Sequence, residues 1–156
     1  MTIEVFGKNN TVEIADSVMV YERCYISIKG DNCHCVIGSK TTIGSASLFL
    51  EESRTDIRIG EDCMLGRDIC LHTTDFHSIL DNISGQRINY PESIYVGEHV
   101  WLGLGVTLGK GAYVADGSVV GEHAMVTKKF TQPHICLVGI PAKIIKENIN
   151  WSREKL

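Results

Sequence analysis

No apolar run in this chain approaches the roughly 18–20 residues that a membrane-spanning helix needs, so no membrane span is expected. The first ten residues, MTIEVFGKNN, have neither the basic n-region nor the apolar h-region of a secretion signal. Positive charge is not in excess. The formal net charge is −4, which argues against a nucleic-acid partner. Aromatic residues make up only 7% of the chain and tryptophan occurs twice, so each tryptophan needs a reason. Six cysteines are present: Cys24, Cys33, Cys35, Cys63, Cys70 and Cys136. Without a secretion signal they read as free thiols packed as small hydrophobes, and the expected location is cytoplasmic. The CHC run at Cys33, His34 and Cys35 has no matching second pair at zinc spacing, so no metal is expected there.

What the chain has is a repeat of six. From Ile94 it reads IYVGEH, VWLGLG, VTLGKG, AYVADG, SVVGEH, AMVTKK. The third place holds Val96, Leu102, Leu108, Val114, Val120 and Val126, and the fourth is mostly glycine. Upstream, Ile37, Ile43, Ile59, Leu65 and Leu71 take the same place, with fainter echoes at Ile14, Val20 and Ile26. Neither a helix of period 3.6 nor a simple strand of period 2 produces this pattern. A period of six predicts a short strand and a corner, with one inward aliphatic residue per hexad and a small residue easing the turn. Three hexads close a triangular coil. Stacked coils then share a core that no coil could bury alone. The chain is therefore expected to be one all-β domain over residues 1–156. The register breaks at Ser47–Asp56 and at about 75–93, and both are expected to bulge as loops. The tail from about 142 to 156 is expected to form a short helix, with Ile144, Ile145, Ile149 and Trp151 at helical spacing.

TTDFHS at residues 73–78, the run IYVGEHVWLGLGVTLGKG, SVVGEHAMVTK and the tail motif VGIPAKIIK follow one another in a recognisable order. That order and spacing resemble the hexapeptide-repeat acetyltransferases, whose fold is a left-handed parallel β-helix. Within them the chain is most similar to enzymes that O-acetylate bacterial surface polysaccharides, including sialic-acid-containing ones. The resemblance implies acetyl-CoA as co-substrate, a sugar or polysaccharide acceptor, and a homotrimer with each site between two prisms. It also implies that a loop histidine is the general base and that a tryptophan in the following hexads lines the site. His77 and Trp101 match those two positions.

The residue types fit the chemistry. Acetyl transfer from a thioester to a hydroxyl needs alignment, a base for the hydroxyl proton and stabilisation of the oxyanion. An imidazole titrates near neutrality and can take and return that proton. Asp75 or a neighbouring backbone carbonyl would orient the ring of His77, and Asp75 also counts among the acceptor-binding candidates. Trp101 stands beside inward-pointing Leu102, so its ring belongs on the surface, where it can meet a sugar, the pantetheine arm or another subunit. By resemblance CoA runs along the later coils beside Leu104, Gly121, Glu122, Thr127 and Lys128, with Lys143 reaching its phosphates. Glu122 departs from the family, which commonly has a small residue there.

Three other readings are open. An amino-sugar N-acetyltransferase would use the same scaffold. A zinc enzyme resembling the γ-class carbonic anhydrases would use His72 and His77, spaced as in that class, with His34 as the third ligand. A β-helix serving only as a scaffold would bind no CoA.

Overall fold

The computed structural model describes residues 1–155; the last residue of the tail, Leu156, lies outside the described residues. Among the described residues there are seventeen short strands, and all but the last build a parallel β-solenoid of about six turns. The first face stacks β2 (Thr11–Ile14), β4 (His34–Ile37), β6 (Asp56–Ile59), β9 (Ile94–Val96), β12 (Tyr113–Val114) and β15 (Lys129–Phe130). The second face holds the beginnings of β3 (Met19–Ile28) and β5 (Thr42–Leu50). Below them run β7 (Met64–Leu65), β10 (Trp101–Leu102), β13 (Val119–Val120) and β16 (Cys136–Val138). The third face carries β1 (Thr2–Val5), the ends of β3 and β5, then β8 (Ile69–His72), β11 (Thr107–Leu108) and β14 (Met125–Val126). β3 and β5 bend round a corner and join the second and third faces into one sheet.

Each hexad contributes two inward side chains rather than the one expected. The third-place residues from Val96 to Val126 are buried, and so are the first-place Ile94, Val100, Val106, Ala112, Ser118 and Ala124. Strand alternation makes this unavoidable: residues one and three of a strand face the same side, and residue two faces out. The second place accordingly holds half-exposed Tyr95, Thr107 and Tyr113, and exposed Trp101. The fourth-place glycines serve close approach between coils. A Cβ on Gly60 would lie 2.5 Å from the carbonyl oxygen of Gly97 in the coil below. The turn itself falls on the sixth place, where His99, Gly105, Gly111, Gly117 and His123 all have left-handed φ of 51–74°.

The coils have two gauges. Thr2 pairs with Tyr25, Tyr25 with Ser47 and Ser47 with Cys70, so early coils repeat every 22 or 23 residues. Thr107 pairs with Met125, 18 residues on, which is three hexads. The expected loop at Ser47–Asp56 is therefore corrected: Ser47–Leu50 continue β5, fully paired, and only a wider corner at 51–55 absorbs the extra residues. The second expected excursion is real. Cys70 pairs with Thr107 across a 37-residue step, and the segment between Thr74 and Ser93 leaves the prism.

The expected C-terminal helix is also corrected. β17 (Lys143–Lys146) runs antiparallel along β16, and no helix forms among the described residues. The edge of the last coil offers unpaired N–H and C=O groups, and pairing with them outweighs the helical spacing of Ile144 and Ile145. Beyond β17 the chain folds back along the corner between the first two faces. There Trp151 stacks on the ring of His99 (4.1 Å, 9°) and donates Nε1–H to its carbonyl at 2.8 Å.

The glycine column yields a paired prediction. Gly60→Ala forces a methyl against the backbone of the next coil and should cost about 1–3 kcal/mol, the usual cost of overpacking. Gly109→Ala meets only ordinary contacts, the nearest at 3.7 Å, and should be close to neutral. Equal losses in thermal or denaturant melts of the two variants would contradict the close-approach account.

Candidate active site

The excursion is a hairpin with a built base. Leu80 and Arg87 form an antiparallel bridge, and Ile88 N–H donates to the Ile79 carbonyl at 2.9 Å. Asp81 caps its tip by accepting Ser84 N–H at 2.7 Å. Glu92 N–H closes the base onto the Thr73 carbonyl at 2.9 Å. Two ion pairs tie the hairpin to the prism. Arg87 places its guanidinium on Glu52, at 2.5 and 2.7 Å, and Lys110 Nζ stands 2.6 Å from Asp75. The Arg87 guanidinium, helped by the Thr74 hydroxyl, holds the Glu52 carboxyl down to about 2. Lys110, and after it Asn89, keeps Asp75 below the usual carboxylate range.

His77 lies in the exposed arm of this hairpin. Its carbonyl accepts from Asn89 Nδ2 at 2.8 Å, and its own N–H donates to the Asp75 carbonyl at 2.8 Å. Its imidazole has no hydrogen-bond partner among the described residues. The Asp75 carboxylate is taken up by Lys110 and Asn89 instead. His72 points out from β8 beside inward Leu71, and its Nδ1 meets the Thr74 carbonyl at 3.0 Å.

Trp101 stands 39% exposed on the second face, between Met64 and Val119 in the neighbouring coils. Its ring lies 6.1 Å from that of Trp151, so the folded-back tail touches it. Arg153 anchors that tail, donating to Asp62, to Thr42 Oγ1 and to the Cys63 carbonyl. At Asp62 burial works against the charge, yet hydrogen bonds from His99 and Arg153 outweigh it and hold the carboxyl below its ordinary range. An apolar groove of about 410 Å³ runs beside Met64, floored by Gly44 and Gly66 and walled by Tyr21, Leu104 and Arg153.

The remaining candidates fall into groups. Leu104, Gly121 and Glu122 share the corner between the second and third faces, and a Cβ on Gly121 would meet Val138 at 2.8 Å. Thr127 and Lys128 stand exposed past β14 at the next corner, with Lys128 Nζ 5.2 Å from the ring of Phe130. Lys143 is exposed at the start of β17. His77 and Trp101 are not brought together in one chain: the hairpin leaves the corner between the third and first faces, and Trp101 is on the second. The histidines of the zinc reading are also apart, with His34 bonded to Asp56 on the first face and His72 on the third. Cys33 and Cys35 point inward while His34 points out, so strand alternation splits the CHC run. Burial pushes the Cys35 thiol up to about 12.

Over 132 residues the chain is 40% identical to a polysialic acid O-acetyltransferase of Escherichia coli O1:K1 / APEC, covering 81% of this chain and 42% of that protein. Over 152 residues it is 38% identical to a polysialic acid O-acetyltransferase of Neisseria meningitidis, covering 97% of this chain and 69% of that one. It belongs to the hexapeptide-repeat acetyltransferase family. The chain thus spans less than half of one relative's length and about two thirds of the other's. No family model matches. The crystal structure of the polySia-specific acetyltransferase NeuO superimposes with a TM-score of 0.73 at 28% identity, covering 98% of this chain and 89% of that one. The solenoid is accordingly the left-handed parallel β-helix of this family.

Sequence reasoning missed Glu52, Arg87, Asn89 and Lys110, the residues that hold the hairpin. A solvated charge and a half-buried clamp look alike in sequence when the partners are 35 residues apart. Their pH behaviour is testable. The pKa of Glu52 is lowered from 4.5 to about 2, so its contribution is complete above pH 4.5 and is lost as pH falls towards 2. Relative to the intrinsic rate at each pH, amide protection in the hairpin should fall over that window while the core strands stay protected, and Glu52→Gln should show low hairpin protection already at neutral pH. Hairpin protection that is flat across the window would contradict the clamp.

Proposed function

We propose that the chain is an acetyl-CoA-dependent O-acetyltransferase that acetylates a hydroxyl of a sialic-acid polymer, with His77 as the general base. The observation that carries this reading is the contrast within the hairpin. The backbone on both sides of His77 is tied down, yet its imidazole is exposed and unpaired among the described residues. A base held in that way can meet an acceptor without first breaking a hydrogen bond. In the reaction the imidazole takes the proton of the acceptor hydroxyl as its oxygen attacks the thioester carbonyl. The tetrahedral intermediate then collapses, the C–S bond breaks, and the proton passes from the imidazolium to the CoA thiolate. Trp101 supplies an exposed aromatic wall for the acceptor or the pantetheine arm. Leu104, Gly121, Glu122, Thr127 and Lys128 border CoA, and Lys143 reaches its phosphates. Six unpaired thiols, four of them buried, favour a reducing, cytoplasmic location.

The site is shared between copies of a homotrimer. The hairpin exposes Phe76, Ile79, Leu80, Ile83 and Ile88, each more than half exposed, a concentration of apolar side chains that a partner surface would cover. A second prism presenting its own Trp101 face would cover it and bring His77 to Trp101. Light scattering at micromolar concentration should give three times the chain mass, and a monomer mass would end the shared-site reading.

His77→Ala should lower acetyl transfer by about 10²–10⁴-fold, the usual range for a positioned general base. CoA affinity should hold, because the base acts on the acceptor. The assay pairs acetyl-CoA turnover on polysialic acid with free sialic acid, neutral sugars and amino sugars as competing acceptors. Full turnover by His77→Ala places the base elsewhere, and exclusive turnover of amino sugars makes the enzyme an N-acetyltransferase. Separately, Lys143→Glu should weaken CoA binding with the fold intact, more so at low salt than at high salt. Unchanged affinity at both would remove Lys143 from phosphate binding.

A further inference from the structure

Asn89 is only 6% exposed, while Ile88 and Tyr90 on either side are 62% and 63% exposed. A buried amide needs partners for its oxygen and both its hydrogens. Asn89 finds all of them around His77. Its Nδ2 donates to the His77 carbonyl at 2.8 Å and to Asp75 Oδ2 at 2.9 Å. Its Oδ1 accepts the Ile79 N–H at 2.6 Å and Arg87 Nε at 3.3 Å. One side chain therefore grips residues 75, 77 and 79, with His77 in the middle. The grip is itself anchored. Arg87 donates Nη2 to the Asn89 carbonyl at 3.1 Å and reaches Glu52 on the prism, so a chain of hydrogen bonds runs from the second coil to the backbone of His77.

From this geometry we propose that Asn89 is the positioning residue for His77: it fixes the backbone from which the unpaired imidazole projects and so sets where the base meets the acceptor hydroxyl. The proposal rests on the reading of His77 as the base. Proton transfer requires the ring nitrogen within about 2.6–3.2 Å of the hydroxyl. A misplacement of about 1 Å can cost about 10²-fold. The ring has no other tether among the described residues, so the backbone at 77 has to carry that accuracy. An asparagine is specifically required. Aspartate at 89 would set a carboxylate against the Asp75 carboxylate and the His77 carbonyl, three acceptors with no hydrogen among them. Alanine would leave the Ile79 N–H and the His77 carbonyl unpaired.

The test is a double-mutant cycle on the intact protein. Asn89→Ala and Asn89→Asp should each lower kcat by about 10–10²-fold, with KM for acetyl-CoA within twofold and the melting temperature of the prism little changed. In a His77→Ala background, adding Asn89→Ala should cause no further loss, because Asn89 acts only through that ring. Amide exchange at Ile79, which reads the grip without catalysis, should accelerate in both Asn89 variants. If His77→Ala loses turnover but Asn89→Ala does not, or if the two losses multiply, the positioning role is overturned and the base stands. Unchanged exchange at Ile79 also overturns it. If His77→Ala itself keeps full turnover, the base reading falls and takes the positioning role with it.

Discussion

Parallel strands stacked about 4.8 Å apart set equivalent residues of successive coils directly over one another, so each place in the hexad becomes a column. That spacing leaves little freedom. Two columns per strand face inward and have to be apolar, or polar with a partner, as Ser118 is. The column at the fourth place passes within contact of the next backbone, and Gly38, Gly60 and Gly97 answer it by having no Cβ. The sixth place needs a left-handed residue. There a glycine in one coil can face a histidine in the next: the imidazole of His134 packs into the space that a Cβ on Gly117 would fill, and that of His123 into the space beside Gly105. The outward second and fifth columns are where residues can be chosen for something other than the fold, and Trp101 occupies the one while Leu104, Lys110 and Glu122 occupy the other.

Legibility in the sequence follows the same columns. The third place was readable because it is aliphatic throughout. The first place was not, because alanine and serine stand there in the later coils and carry no hydrophobic signal. The wide coils hid the continuation of β5 through Leu50. A repeat of 22 or 23 residues is not a multiple of six, so a register break looked like a loop where the prism had only grown broader. The spacing of Ile144, Ile145 and Ile149 suited a helix, but local spacing could not report the unpaired edge of β16 waiting beside it. His77 and Trp101 stood out through motif order. Their supports did not, because Glu52 to Arg87 and His99 to Trp151 are contacts made only by folding.

The placement of His77 and Trp101 on different sides of one prism has a consequence for the chemistry. A regular solenoid has flat faces and no deep cleft, and its rigidity, useful for alignment, is also what prevents it from closing around a substrate. In the proposed homotrimer, a protruding hairpin and a second prism together would supply the missing walls. The exposed apolar residues of the hairpin would hold the neighbour in that trimer, and the neighbour would exclude water from the space between them.

The hairpin is inserted where the gauge changes from 22 or 23 residues per coil to 18, and its two ion pairs reach in opposite directions. Glu52 belongs to the second, wide coil and Lys110 to the fourth, narrow one. An excursion tied to one coil would rock about that single anchor. Tied to both, with Asn89 joining the two anchors through Arg87 on one side and Asp75 on the other, it takes its orientation from the stack itself. The rigidity of the columns is thereby carried out to a residue that lies beyond them, which is what the proposed role of His77 as a base requires of a fold with flat faces.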